Sequence, residues 1–181
     1  HYSDSWADPG QQTKPAAWAA MDLPGLQTAI YNHTLTVMNS LKSNGITPDW
    51  VQVGNETNDG MLWPDGKASA NMANYATFFI AGYNAVKAAN PATKGRVHIS
   101  NGYDNALFRW NLDGLKANGA GWDVIGMSWY PTAANWAARN SQCLSNMNEL
   151  VARYGSEVMV CEVGMSWDQP AACKAFLTDL V

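Results

Sequence analysis

The sequence predicts an α/β protein built as part of a parallel (β/α)₈ barrel, and three observations carry that expectation. Short β-branched runs alternate strictly with long amphipathic runs, five times in 181 residues. Strict alternation implies parallel strands joined by right-handed crossovers. No Gly-rich phosphate loop follows any strand, which argues against an open nucleotide-binding sheet. Each run that reads as a strand ends in polar or aromatic residues: Ser3-Asp4, Asn55-Glu56, Asn101-Gly102-Tyr103-Asp104, Ser128-Trp129-Tyr130 and Glu162. Barrel enzymes carry their chemistry on that face. Five units do not close a barrel, so residues 1–181 read as one incomplete domain that lacks units before His1 and after Val181.

The elements follow in order. His1-Tyr2-Ser3 reads as the stub of a strand, and an irregular stretch of Pro, Gly, Gln and Trp fills Asp4 to Asp22. Leu26, Ile30, Tyr31, Val37, Met38 and Leu41 recur at helical spacing, and Asn44-Gly45 ends that helix. Trp50 to Val53 is a strand and Thr57 to Lys67 a loop. Met72, Tyr75, Phe79, Ile80, Tyr83 and Val86 mark a second helix, stopped before Pro91. Arg96 to Ser100 is a strand, followed by a helix through Leu107, Trp110, Leu112 and Leu115. Val124 to Met127 is a strand, Trp129-Tyr130-Pro131 opens a loop, and Leu144, Met147, Leu150 and Val151 mark the next helix. Val158 to Cys161 is a strand, and a last helix runs from about Ala171 to Leu180.

Composition narrows the function. Net charge is −4, only 14% of residues are charged, and Lys and Arg are scattered, so neither a nucleic-acid nor an anionic-membrane surface is expected. No stretch is apolar enough to span a bilayer. Nothing reads as a signal peptide, and the chain opens without a Met, so its start is expected to be missing or processed away. Three cysteines, Cys143, Cys161 and Cys173, lack metal-ligand spacing and allow at most one internal bridge. No cofactor, metal or protein partner is implied. Nine Trp and seven Tyr stand out. Trp6, Trp18, Trp63, Trp129, Trp136 and Trp167 lie in or beside expected loops, where flat aromatics beside amides and carboxylates suit a sugar ring.

The chemistry rests on a pair. Glu56 and Glu162 close two strands, 106 residues apart. Alone, either would read as a cap or an ion-pair partner. Together, at matching strand ends of one barrel, they are what glycosidic cleavage needs: one carboxyl protonates the leaving oxygen, and the other attacks or activates water. Asn55, beside Glu56, is placed to bind a sugar hydroxyl. Tyr130 reads equally well as an aromatic packed under a loop and as a phenol that aims the nucleophile. Asp104 and Asp59 read as capping or solvated acids. Alternation puts Cys161 on the strand face opposite Glu162, as a core thiol or half of a disulfide.

His1-Tyr2-Ser3-Asp4-Ser5-Trp6-Ala7-Asp8-Pro9-Gly10, with Gln12 and Lys14-Pro15, resembles the third-strand signature of the glycoside hydrolase family 53 endo-β-1,4-galactanases. Val53-Gly54-Asn55-Glu56 resembles that family's fourth-strand motif and Ser128-Trp129-Tyr130-Pro131 its sixth, while Glu162 falls where its nucleophile belongs. The resemblance implies barrel strands 3 to 7 and retaining, endo-acting cleavage of β-1,4-galactan, the side chain of type I arabinogalactan in pectin. It implies Glu56 as acid/base and Glu162 as nucleophile, with carboxyls about 5–5.5 Å apart. It implies Asn55, Tyr130, Trp6, Asp4, Asn101 and Trp167 as substrate-binding residues, and a secreted, periplasmic or cell-surface protein. Some members carry an Asp-rich calcium loop after the nucleophile strand. Here that region reads Val163-Gly164-Met165-Ser166-Trp167-Asp168-Gln169, so no calcium site is expected. Two rival readings are a barrel hydrolase of another β-1,4-glycan and a non-catalytic carbohydrate-binding remnant. Missing strands would leave open edges and apolar faces, which predicts poor solubility.

Overall fold

The structure, a computed structural model, describes residues 1–180. Helix α1 (Leu23–Ser43) starts at Asp22, whose carboxylate accepts the Gly25 N–H at 2.9 Å, with Pro24 in the first turn. Its buried stripe is Leu26, Ile30, Thr34 and Met38, the four-residue spacing of one helix face. Strand β1 (Trp50–Gln52) leads into a long loop and helix α2 (Met72–Ala89). Helix α2 buries Tyr75, Ala76, Phe78, Phe79, Gly82, Ala85 and Val86, because it packs on α1 and on the sheet at once. Strands β2 (Lys94–Ile99), β3 (Val124–Trp129) and β4 (Glu157–Val163) follow, separated by helices α3 (Asn105–Ala117) and α4 (Trp136–Tyr154). Helix α5 (Pro170–Leu180) comes last.

The four strands are parallel in the order β1-β2-β3-β4. Every neighbouring pair is linked through a helix, which is half of a parallel barrel. One face of the sheet carries Val97, Ile99, Ile125, Met127, Val158 and Val160, packed with helix residues in the core. The other carries Gln52, Arg96, His98, Gly126 and Ser128, a polar concave side. There Arg96 Nη2 donates to Gln52 Oε1 at 2.6 Å. Gly126 makes room for it: a Cβ at that position would stand 2.8 Å from the Arg96 side chain and 2.6 Å from Cys161 Sγ.

Four expectations are corrected. No strand forms at residues 1–3. Tyr2 turns instead onto α1, where its hydroxyl pairs with Thr34 Oγ1 at 2.8 Å and its ring meets Trp18 and His33. Cys161 does not point to the helices. The β3–β4 register shifts so that Met127 pairs with Val160 but Ser128 with Glu162. Cys161 is the extra residue of a bulge, and its sulfur joins Arg96 on the concave side. All three cysteines are unbridged. Trp129, expected in a loop, is 1% exposed, donates its indole N–H to Asn140 Oδ1 at 2.8 Å and packs on Tyr103 and Phe176. Helix α4 turns a different face inward than its leucines suggest: Asn140, Cys143, Asn146 and Leu150 are buried, while Leu144 and Val151 are exposed. Among the described residues no helix is long and apolar enough to cross a membrane.

Candidate active site

Two glutamates meet around one histidine. Strand β2 carries His98 on its concave face, fully buried. The β1 exit folds over it. Gly54 (φ 85°) turns the chain, and Glu56 then sits at φ 44°, in the left-handed region that an ordinary residue enters only when held there. The Glu56 N–H donates to His98 Nδ1 at 3.2 Å, and the Thr57 N–H donates to the His98 carbonyl at 2.8 Å. Glu162 approaches from β4, with Oε1 3.9 Å from His98 Nε2. The bulge after Val160 is what puts the Glu162 side chain on this face alongside Ser128. Ser128 Oγ lies 2.8 Å from His98 Nε2.

The supports come from three loops. Tyr130, just past β3, donates its hydroxyl to Glu162 Oε2 at 3.0 Å. Of the two readings open to Tyr130 in the sequence, this contact is compatible with a phenol that aims a carboxylate. Asn55 gives its amide N–H to the Ala7 carbonyl at 2.8 Å and accepts from Gln52 Nε2 at 3.0 Å. Buried Gln12 donates to the carbonyls of Asp8 at 2.9 Å and Asn55 at 2.8 Å, tying the first loop to the Glu56 turn. The same two loops are joined again by a Lys14–Asp65 ion pair at 2.6 Å.

The site shifts the titration of Glu56, His98 and Tyr130. Burial pushes the Glu56 carboxyl above its ordinary value. The charges of Glu162 and Asp8 push the same way, while a hydrogen bond from the Ser128 hydroxyl opposes them. His98 is pushed down to about 4 by burial and by the Arg96 charge, so it is neutral at pH 7. Burial and the Glu162 contact raise Tyr130, which keeps its phenol a donor.

The remaining candidates take other places. Asp4 Oδ2 accepts the Ala16 N–H at 2.7 Å and so braces the first loop. Trp6 is 60% exposed beside buried Ala7, and Trp167 is 92% exposed past β4. Asn101 is exposed at the β2 exit with φ 58°. These three side chains make no hydrogen bonds among the described residues and are open to solvent. Asp104 caps α3 by accepting the Leu107 N–H at 3.0 Å, and Asp59 holds Ser69, as their loop positions suggested. A groove of about 590 Å³ lies beside Tyr130, lined by Pro131, Ala133, Met165 and Ser166. The sequence reading missed His98, Ser128 and the role of Gln12. The available signal was parity: His98 and Ser128 are polar residues in apolar strands, at register positions that share one face.

A half-barrel of parallel strands, with a pair of carboxylates at their carboxyl ends around a neutral imidazole, has the architecture of the barrel glycosidases. The chain matches the model of glycosyl hydrolase family 53 over residues 1–175. A probable arabinogalactan endo-β-1,4-galactanase A from Aspergillus fumigatus is 36% identical, over 99% of this chain and 52% of its own length. The arabinogalactan endo-β-1,4-galactanase of Humicola insolens is 37% identical, over 96% and 52%. In solved structures, a fungal β-1,4-galactanase superposes with a TM-score of 0.88 at 31% identity, covering 99% of this chain and 60% of that one. The Ignisphaera aggregans family 53 catalytic domain gives 0.88 at 32%, covering 100% and 56%. The chain belongs to glycosyl hydrolase family 53. It spans about half the length of the curated relatives it matches.

Proposed function

We propose that the protein is an endo-acting retaining hydrolase of β-1,4-galactan, with Glu56 as acid/base and Glu162 as nucleophile. The observation that carries this reading is the placement of both glutamates around His98, with Glu56 held toward its protonated form by burial and by the charge of Glu162. A carboxyl held toward its protonated form is suited to the acid role. The names of the relatives support the substrate.

In the first step a Glu162 oxygen forms a bond to the anomeric carbon as the glycosidic C–O bond breaks. The electron pair leaves with the departing oxygen, which takes the Glu56 proton. In the second step water attacks the glycosyl ester, Glu56 removes a water proton, and Glu162 leaves as carboxylate. Tyr130, through its hydrogen bond to Oε2, aims Glu162 as it attacks. Two carboxyls and water suffice for both steps, so no cofactor is invoked. The polymeric substrate fits a secreted, periplasmic or cell-surface location.

The test uses the full-length enzyme. Glu162→Ala is expected to abolish turnover, with azide restoring part of it by taking the nucleophile's place. Glu56→Ala should spare substrates with good leaving groups more than galactan. Wild-type-like activity in either variant contradicts the assignment. Galactan should be cut to short oligosaccharides while xylan, mannan and cellulose stay intact; comparable rates on xylan would move the protein to another β-1,4-glycan.

A further inference from the structure

We propose that Gln52 and Arg96 are positioning residues for Asn55: together they fix which way round its amide stands, and so hold one of its N–H groups for the 2-hydroxyl of the sugar under attack. This rests on the reading of Asn55 as a substrate-binding residue and goes beyond it. An unbroken row of hydrogen bonds crosses the concave face. Arg96 Nη2 donates to Gln52 Oε1 at 2.6 Å, Gln52 Nε2 donates to Asn55 Oδ1 at 3.0 Å, and Asn55 Nδ2 donates to the Ala7 carbonyl at 2.8 Å. The row can run only one way. A guanidinium has donors and no acceptor, so the Gln52 atom facing it is the oxygen. A backbone carbonyl only accepts, so the Asn55 atom facing Ala7 is the nitrogen. Both ends dictate the same orientation for the two amides between them, and neither amide can flip without setting like groups against each other. The Asn55 backbone is held separately, by Gln12 Nε2 donating to its carbonyl at 2.8 Å.

Two further observations give the row a use. An amide nitrogen carries two protons. One of those on Asn55 goes to Ala7, and no described residue accepts the other. In the proposed reaction the anomeric carbon lies between Glu56 and Glu162, and the 2-hydroxyl stands on the carbon beside it. Hydrogen bonds to that hydroxyl strengthen in the transition state, so the orientation of an amide next to Glu56 bears on rate. Arg96, for its part, joins no ion pair among the described residues. Its other directed contact runs from Nη1 to the Met159 sulfur on β4, at 3.1 Å. Gly126, the β3 residue paired with Met159, leaves the room that this side chain occupies. An arginine with no carboxylate partner makes its short contact to Gln52 a charge-assisted one, the firmest link of the row.

The experiment compares kcat/KM in the full-length enzyme for a nitrophenyl β-1,4-galacto-oligosaccharide and for its analogue lacking the 2-hydroxyl on the sugar that is attacked. The readout is the ratio of the two, which cancels a general loss of folded enzyme or of acid catalysis. Asn55→Ala should lower that ratio roughly tenfold or more, by losing the hydroxyl contact. Gln52→Glu keeps the size and the Arg96 partner but sets a carboxylate oxygen against Asn55 Oδ1, and should lower the ratio roughly fivefold or more. Gln52→Met, which adds no charge, should lower it in the same direction. Neither should lower it further in the Asn55→Ala background, because both act through that amide. Arg96→Lys, which keeps a donor for Gln52 Oε1, should retain more of the ratio than Arg96→Met. If Asn55→Ala lowers the ratio while the Gln52 variants leave it unchanged, or lose activity equally on both substrates, the positioning role is overturned. Gln52→Glu gives that answer even if Arg96→Met does not fold. If Asn55→Ala itself leaves the ratio unchanged, the substrate-binding reading of Asn55 fails, and the proposal with it.

Discussion

A neutral imidazole buried beside two carboxylates makes the folded state sensitive to acid. The ring titrates at about 4 when folded and near 6.5 when exposed. Between those values the unfolded chain binds the extra proton, so stability rises with pH across that window and is lost as pH falls from 6.5 toward 4. The slope from this one group is at most about 1.4 kcal/mol per pH unit. Glu56, raised rather than lowered, contributes a slope of the opposite sign. Urea midpoints of the full-length enzyme at pH 6.5 and 4.5 should therefore converge in His98→Gln relative to wild type; an unchanged difference would mean that the ring is charged when folded. Trp6 invites a second measurement at this scale. It is exposed on the rim, so Trp6→Ala should weaken polysaccharide binding by roughly 1–3 kcal/mol, with little change in melting temperature. Early melting with unchanged kinetics would make it a packing residue. Glu56 and Glu162 were visible in the sequence because each ends an apolar run. His98 and Ser128 were not singled out, because a lone polar residue inside a strand acquires meaning only once the register brings its neighbours to it.

At the scale of elements, the bulge in β4 decides where Glu162 points. Simple alternation places Glu162 and Cys161 on opposite faces. The extra residue brings both to the concave side, and nothing in Val158 to Glu162 announces it. Helix positions were legible from their apolar period, but the inward face of α4 was not. Its buried stripe is largely polar, because Asn140 and Asn146 find partners in the Trp129 indole and the Gly102 carbonyl. The loop between β1 and α2, expected as a loop, is packed, with Thr57, Met61 and Leu62 buried. Its tightest point is Gly60, at φ 85°, where an added Cβ would lie 1.9 Å from the Gly66 carbonyl oxygen. Gly60→Ala must open that loop, and should destabilise the protein by about 1–3 kcal/mol while disturbing the neighbouring Glu56 turn. Chemical denaturation checks this; a neutral effect would mean that the loop is looser than its contacts indicate.

At the scale of the molecule, four strands leave β1 and β4 as open edges. Trp50, Leu144, Val163 and Leu177 are all at least 40% exposed, as a half-barrel's uncovered faces require. Residues 1–181 expressed alone should associate or precipitate more readily than the full-length protein at equal concentration, measured by light scattering. A monodisperse monomer of the short chain would contradict that. The alternation of strands and helices made the barrel class legible, and the polar strand ends identified its working face. Where the first strand was expected, Tyr2 bonds Thr34 of α1 and packs on Trp18.

The central claim is that Glu162 forms a covalent bond to the sugar while Glu56 moves the proton. The most direct measurement is to incubate the full-length enzyme with a 2-deoxy-2-fluoro-galactosyl oligosaccharide bearing an activated leaving group, and to map the adduct by mass spectrometry of its peptides. The account requires one glycosyl adduct, on the peptide containing Glu162, lost on addition of an acceptor sugar with recovery of activity. An adduct on the Glu56 peptide, or turnover that passes through no adduct and yields inverted product, would contradict it.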